Sequence, residues 1–234
     1  MNFKDRSRLL NYYFSLCYLM TLGICTAFLQ KTDFHNIKTA LFSTSVFLTY
    51  GIIYLLPAIV ITKVCHYLVG RVFFRNADNK LSAGLTYTVA VATTAATLIL
   101  LYIDRTIYNL LGFHINGFVW NLITTPGGIE SMGSSDTASL TYGLIIGGII
   151  SLLAFLLWVL RSLLNHGKLP GISPKTMVSL VVVFFMLTLG ERISYGISHL
   201  HSYSPILVTA NTYPLYLPLT FRSLAKKMGV DVAR

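Results

Sequence analysis

Between Pro218 and Gly229 the chain sets Arg222 and Lys226 one helical turn apart, with Lys227 beside them. Phe221, Leu224, Ala225 and Met228 recur at i, i+3, i+4 and i+7, so apolar and basic residues take different sides of one helix. Pro near its start and Gly at its end are helix-start and helix-stop signals. A short amphipathic helix of this kind lies on a bilayer and offers a fork of donors to phosphate. The plainer alternative is a solvated basic helix that only leads onward.

Two charged dyads stand in otherwise apolar surroundings, Asp104-Arg105 and Glu191-Arg192. A charge at the centre of a membrane helix costs about 2.5–3.5 kcal/mol and less near the interface, so each group needs a partner. Neighbours on a helix point about 100° apart. Crossed pairs, Glu191 with Arg105 and Arg192 with Asp104, are therefore expected, with headgroup contact and snorkelling as alternatives. His114, Asn116, Trp120 and Asn121 extend the first dyad into a polar-aromatic outer segment. His199 and His201 are two apart, but no Cys or clustered carboxylate completes a metal site with them or with His35 and His114. The eight acidic residues are scattered, and no nucleophile has a base and an orienter beside it. No catalytic residue, metal or cofactor is expected on this chain.

Five apolar blocks must position these groups: Leu9–Leu29, Leu41–Thr62, Leu81–Tyr102, Leu140–Leu160 and Met177–Gly196. A hydrocarbon core of about 30 Å needs roughly 20 helical residues, and each block meets that length. The fold class is an all-α membrane protein, a five-transmembrane-helix bundle with outer interfacial segments. The first block is too long for a signal-peptide core and lacks an A-x-A-like site, so it reads as a retained anchor.

The basic residues orient the blocks. Lys4, Arg6, Arg8, Lys63, Arg71, Arg75, Lys80, Arg161, Lys168 and Lys175 fall at the N-terminus and in the second and fourth loops, ten against Lys31, Lys38 and Arg105 in the first and third. The N-terminus is then cytoplasmic and the C-terminus extracytoplasmic. Arg222, Lys226, Lys227 and Arg234 run against that bias, which makes the tail the leading site. Residues 1–198 read as the membrane domain and 199–234 as an interfacial segment leading outward.

Composition narrows the classes. With 54% hydrophobic and 11% charged residues the chain is not a soluble domain, and its net charge of +10 suits anionic headgroups. No basic stripe with interleaved aromatics lies in a soluble segment, so nucleic acid is not a partner. Cys17 and Cys25 are about 12 Å apart on one helix, beyond disulfide reach.

Local patterns add further expectations. Ala83, Gly84, Ala90, Ala92 and Thr93 to Ala96 place the third helix inside the bundle. Gly143 and Gly147 read as a packing stripe used within the chain. Pro57 is expected to bend the second helix slightly. Residues 64–74 read as a short interfacial helix, and 106–125 as helical or re-entrant structure at the outer interface, closed by Pro126-Gly127-Gly128.

The stretch LYIDRTIYNLLGFHINGFVWNLITTP (residues 101–126) and the tail SYSPILVTANTYPLYLPLTFRSLAKKMG (residues 202–229) resemble the PbgA/YejM type of inner-membrane protein. The likeness is carried by Phe113, His114, Asn116, Val119 and Trp120, and by Asn211, Leu215, Pro218 and Thr220. It implies a Gram-negative inner-membrane protein of outer-membrane lipid homeostasis, with the C-terminus periplasmic and followed by a sulfatase-like periplasmic domain. It also implies lipid A or cardiolipin as ligand, and control of lipopolysaccharide synthesis through a protease adaptor. In that family a basic pair contacts lipid A phosphate. Arg222 matches its first member, whereas Ser223 replaces the second, leaving Lys226 or Lys227 to compensate. The resemblance implies a lipid-binding anchor with no enzyme on this chain. Anchoring a phosphoethanolamine or phosphoglycerol transferase is the alternative, and a small transporter a third.

Overall fold

The computed structural model describes residues 3–32, 34, 36–73, 80–126, 136–167, 169–171 and 173–221, and among them it is all helical. In chain order these are α1 (Phe3–Leu29), α2 (Ile37–Tyr67), α3 (Lys80–Leu111), α4 (Gly117–Thr124), α5 (Asp136–Asn165), α6 (Pro174–Leu200) and α7 (Ser204–Ala210). The five long helices are each long and apolar enough to cross a membrane, which makes this a multi-pass membrane protein.

Every long helix outruns its apolar block. Hydropathy marks where hydrocarbon begins, whereas a helix ends where its terminal amides and carbonyls find other partners. At α6, for example, the Ser173 side chain accepts from Thr176 N and Pro174 takes the first turn, so the helix starts before Met177. The separate helix expected over 64–74 is instead a continuation: α2 runs to Tyr67 and passes into a π-helical turn, Leu68–Phe73. Pro57 lies inside α2 without ending it. Arg75 falls outside the described residues.

The chain forms two compact units, Met1–Ile24 with Tyr54–Gly171, and Cys25–Ile53 with Ile172–Arg234. The first is built on α3. Its buried residues, among them Thr86, Ala90, Thr94, Leu98 and Leu101, recur every three or four positions and form one stripe. Small side chains let Leu9, Tyr13 and Cys17 of α1, Leu55 and Ala58 of α2, and Leu153 and Leu157 of α5 close against them in one core. Gly143 and Gly147 differ from expectation. A Cβ at either would meet nothing within 4 Å, so among the described residues no side chain or backbone closes on them.

One end of this unit is strongly basic. Arg6 is fully buried and donates from Nη1 to Ser82 Oγ at 2.8 Å, while Nε and Nη2 have no partner. Lys63 donates to Asn11 Oδ1 at 2.6 Å, and the Phe3 ring lies between His66, stacked at 4.2 Å, and the Arg71 guanidinium at 5.3 Å.

The second unit pins the segment after α7 to α2. Tyr213 is buried, and its hydroxyl donates to the Ser43 carbonyl at 3.1 Å. Ser43 Oγ lies 2.8 Å from Thr32 Oγ1 and 3.0 Å from Tyr213 Oη, so one small polar cluster holds three stretches of chain together. Much of α6 is apolar and exposed, with Val178, Leu180 and Met186 each more than 60% accessible. Hydrocarbon is the natural solvent for such a surface.

Candidate functional site

In the first unit Asp104 sits near the end of α3, 5% exposed. It receives two hydrogen bonds from the turn that follows, His114 Nδ1 to Oδ2 at 2.7 Å and the Ile115 amide to Oδ1 at 2.8 Å. Gly112 takes φ +76°, a conformation open to glycine, and lets the chain reverse. The His114 ring stacks on Tyr108 at 4.4 Å. Asn116 then caps α4, its side chain accepting from Phe118 N at 3.0 Å and Val119 N at 3.1 Å. Val119 is buried, while Phe118 and Trp120 project at 64% and 66% exposure. Asp104, His114 and Asn116 are thus the staple that joins the end of α3 to α4. Trp120 and Asn121 lie on its exposed side, and Arg105 is half-buried on α3.

In the second unit Glu191 is 1% exposed and its carboxylate is engaged from two sides. Arg192 Nε lies 3.0 Å from Oε1, and the Tyr216 hydroxyl donates to Oε2 at 2.8 Å. Arg192 Nη2 donates to the Tyr50 hydroxyl at 2.8 Å, which also accepts the Leu217 amide at 3.0 Å. The guanidinium lies 5.6 Å from the Tyr50 ring centre and 5.1 Å from that of Tyr216, within cation–π range of both. Burial raises the Tyr216 phenol well above its ordinary range, and the Glu191 charge raises it further, so its proton stays available to donate.

Within their own units Asp104 is held by a histidine and an amide, and Glu191 by a tyrosine and by its own neighbour Arg192, a pairing the 100° spacing argued against. The 100° argument concerns Cα–Cβ directions, and the long arginine side chain bends back over that angle. Tyr50 and Tyr216 supply the polar and aromatic surroundings that hold it there.

Beside Glu191 lies a cavity of about 690 Å³. Leu41, Phe42 and Ser45 of α2 form one wall, Gly190, Ser194, Ile197 and Ser198 of α6 another, and Ile206 of α7 a third. Lys38, His201 and Tyr203 line the end at which α2 starts and α6 stops. The Asn36 amide donates to the Tyr203 hydroxyl at this end.

Arg222, Lys226 and Lys227 lie outside the described residues. The residue before them does not: the Phe221 ring lies directly over Gly196 of α6, where any Cβ would collide with it. Sequence reasoning counted Lys38 for orientation only and overlooked Tyr50, Tyr213 and Tyr216. A hydroxyl that must find a partner in an apolar surrounding is the signal that marks these tyrosines. Among the described residues no group of three or more His, Cys, Asp or Glu could hold a metal ion.

A family model described as a domain of unknown function (DUF3413) matches residues 8–234. No curated protein matches the chain.

Proposed function

The chain belongs to the DUF3413 family, and on that footing we propose that it is a membrane-anchoring domain that binds phosphorylated lipid at its outer face. The observation that carries this reading is the seating of residues 213–221. Tyr213 is bonded to Ser43, Tyr216 to Glu191 and Leu217 to Tyr50, and Phe221 rests on Gly196. Phe221 therefore stands beside the last turns of α6, where headgroup phosphates lie if α6 spans the bilayer, and Arg222 is the next residue in the sequence. The likeness of residues 101–126 and 202–229 to the PbgA/YejM type supports lipid A or cardiolipin as the lipid and the Gram-negative inner membrane as the location. It also supports a protease adaptor of lipopolysaccharide control as the protein partner. On this reading the chain does no chemistry of its own and holds a following domain at the membrane.

Changing Arg222, Lys226 and Lys227 together to Gln tests the reading. Each basic residue near an anionic surface contributes about 1 kcal/mol, so binding to lipid A or cardiolipin in nanodiscs should weaken by roughly 3 kcal/mol at low salt. The gap should narrow at physiological ionic strength, where the Debye length is about 8 Å. Equal binding by parent and triple variant would remove the tail as the site.

The orientation has its own test. In a background without the native cysteines, a Cys at Thr125 should react with an impermeant thiol reagent added from the periplasmic side, and one at Asn165 should not. The opposite pattern would invert the topology and with it the outer-face assignment.

A further inference from the structure

We propose that the cavity between the start of α2, the end of α6 and α7 holds one acyl chain of a membrane lipid whose phosphate is met by Lys38. The inference rests on the reading of this chain as a lipid-binding membrane domain, but it uses none of the basic tail.

The lining is less polar than its residue types imply. Ser45 Oγ donates back to the Leu41 carbonyl at 2.8 Å, and Ser194 Oγ to the Gly190 carbonyl at 2.7 Å. Both hydroxyl protons are therefore spent within their own helices. Glu191 has its charge balanced by Arg192 and accepts from Tyr216, although Oε1 makes no hydrogen bond. Of the remaining wall Leu41, Phe42, Ile197 and Ile206 are hydrocarbon, and Ser198 adds one hydroxyl on the α6 side. At about 690 Å³ the space lies within the range of roughly 300–1,000 Å³ typical of small-molecule sites. From Gly190 to His201 the α6 wall runs about 16 Å along the helix, which suits a chain better than a compact solute.

The mouth has the opposite character. Lys38 is exposed and makes no ion pair among the described residues, and His201 and Tyr203 stand at the same end. Lys38 also lies in the first turn of the 31-residue α2, whose dipole presents its positive end there. A cationic rim over an apolar slot matches a phosphate headgroup over an acyl chain. Both α2 and α6 are candidate membrane spans, so lipid is the amphiphile that surrounds them.

The test uses the chain in phosphatidylcholine vesicles with a trace of phosphatidylglycerol carrying a photoreactive acyl chain. Labelling should fall on Leu41, Phe42, Ile197 or Ile206 and saturate at one lipid per chain. Unlabelled phosphatidylglycerol should compete, and glycerol 3-phosphate, the headgroup without chains, should not. Lys38→Gln should weaken labelling about fivefold, in line with one basic residue at an anionic surface, while Lys38→Arg retains it. Ser45→Leu and Ser194→Leu, made separately, should each block it by filling the slot. The Arg222, Lys226 and Lys227 triple variant should label like the parent, even if it has lost the tail's lipid affinity. Labelling spread without saturation over exposed α6 residues such as Val178 and Met186 would overturn the proposal. So would unchanged labelling in both Leu variants, competition by glycerol 3-phosphate, or loss of labelling in the triple variant.

Discussion

Glu191→Gln is expected to lower the stability of the second unit by about 3 kcal/mol, the lower end of the range for breaking a buried ion pair. The carboxylate is buried, but the Arg192 side chain keeps 18% of its exposure and so retains some access to solvent. Losing the negative charge strands a guanidinium beside two stacked tyrosine rings and weakens the bond from Tyr216. The loss should fall mainly on that partner. Glu191→Gln combined with Arg192→Met should therefore recover at least 1 kcal/mol, because an apolar side chain in place of a buried ion is often tolerated. Unfolding of parent, single and double variants in detergent gives the coupling directly. Strictly additive losses would mean that the pair seen here contributes nothing as a pair. Arg105→Gln should not rescue Glu191→Gln, in contrast to what the crossed arrangement requires.

The second large effect is expected at Asp104. Asp104→Ala removes the acceptor for both His114 and the Ile115 amide, and hydrogen bonds to a charged group are worth about 1.5–3 kcal/mol each. A loss of about 2–4 kcal/mol should follow, confined to the turn after α3 and to α4. Asp104→Asn should cost only about 1 kcal/mol, since its carbonyl still accepts a neutral hydrogen bond. Trp120 on α4 reports the change. The chain has two tryptophans, and Trp158→Phe leaves Trp120 as the only one to be excited selectively at the red edge of the absorption band. Its emission should shift in Asp104→Ala and hardly at all in Asp104→Asn. If the alanine variant keeps both stability and emission, the staple does not hold α4.

These sites show where the sequence was a good guide and where it was not. Asn116 ahead of the apolar Gly117–Thr124 stretch was legible as a polar position in an interfacial segment, and it turns out to cap that helix. The Gly143–Gly147 spacing was legible too, but its use was not. A small-residue stripe states only that another backbone can approach, and among the described residues none does. Lys38 was counted only among the loop charges that orient the helices, because its surroundings at the cavity are not written near it in sequence. Its neighbours at the cavity mouth, His201 and Tyr203, stand more than 160 positions along the chain.

By itself the sequence determined that five helices of this length and apolarity can cross a membrane and that a largely apolar, interfacial stretch follows the third. Spanning hydrocarbon is a constraint along one dimension: about 20 residues with few charges satisfy it or do not, whatever surrounds them. Which group answers each buried charge was decided only in the folded chain. Tyr216 reaches Glu191 from 25 residues away and Leu217 reaches Tyr50 from 167. No local pattern records such a meeting. A carboxylate in an apolar surrounding accepts any donor that tertiary packing brings within about 3 Å, whether an arginine, a phenol or a backbone amide.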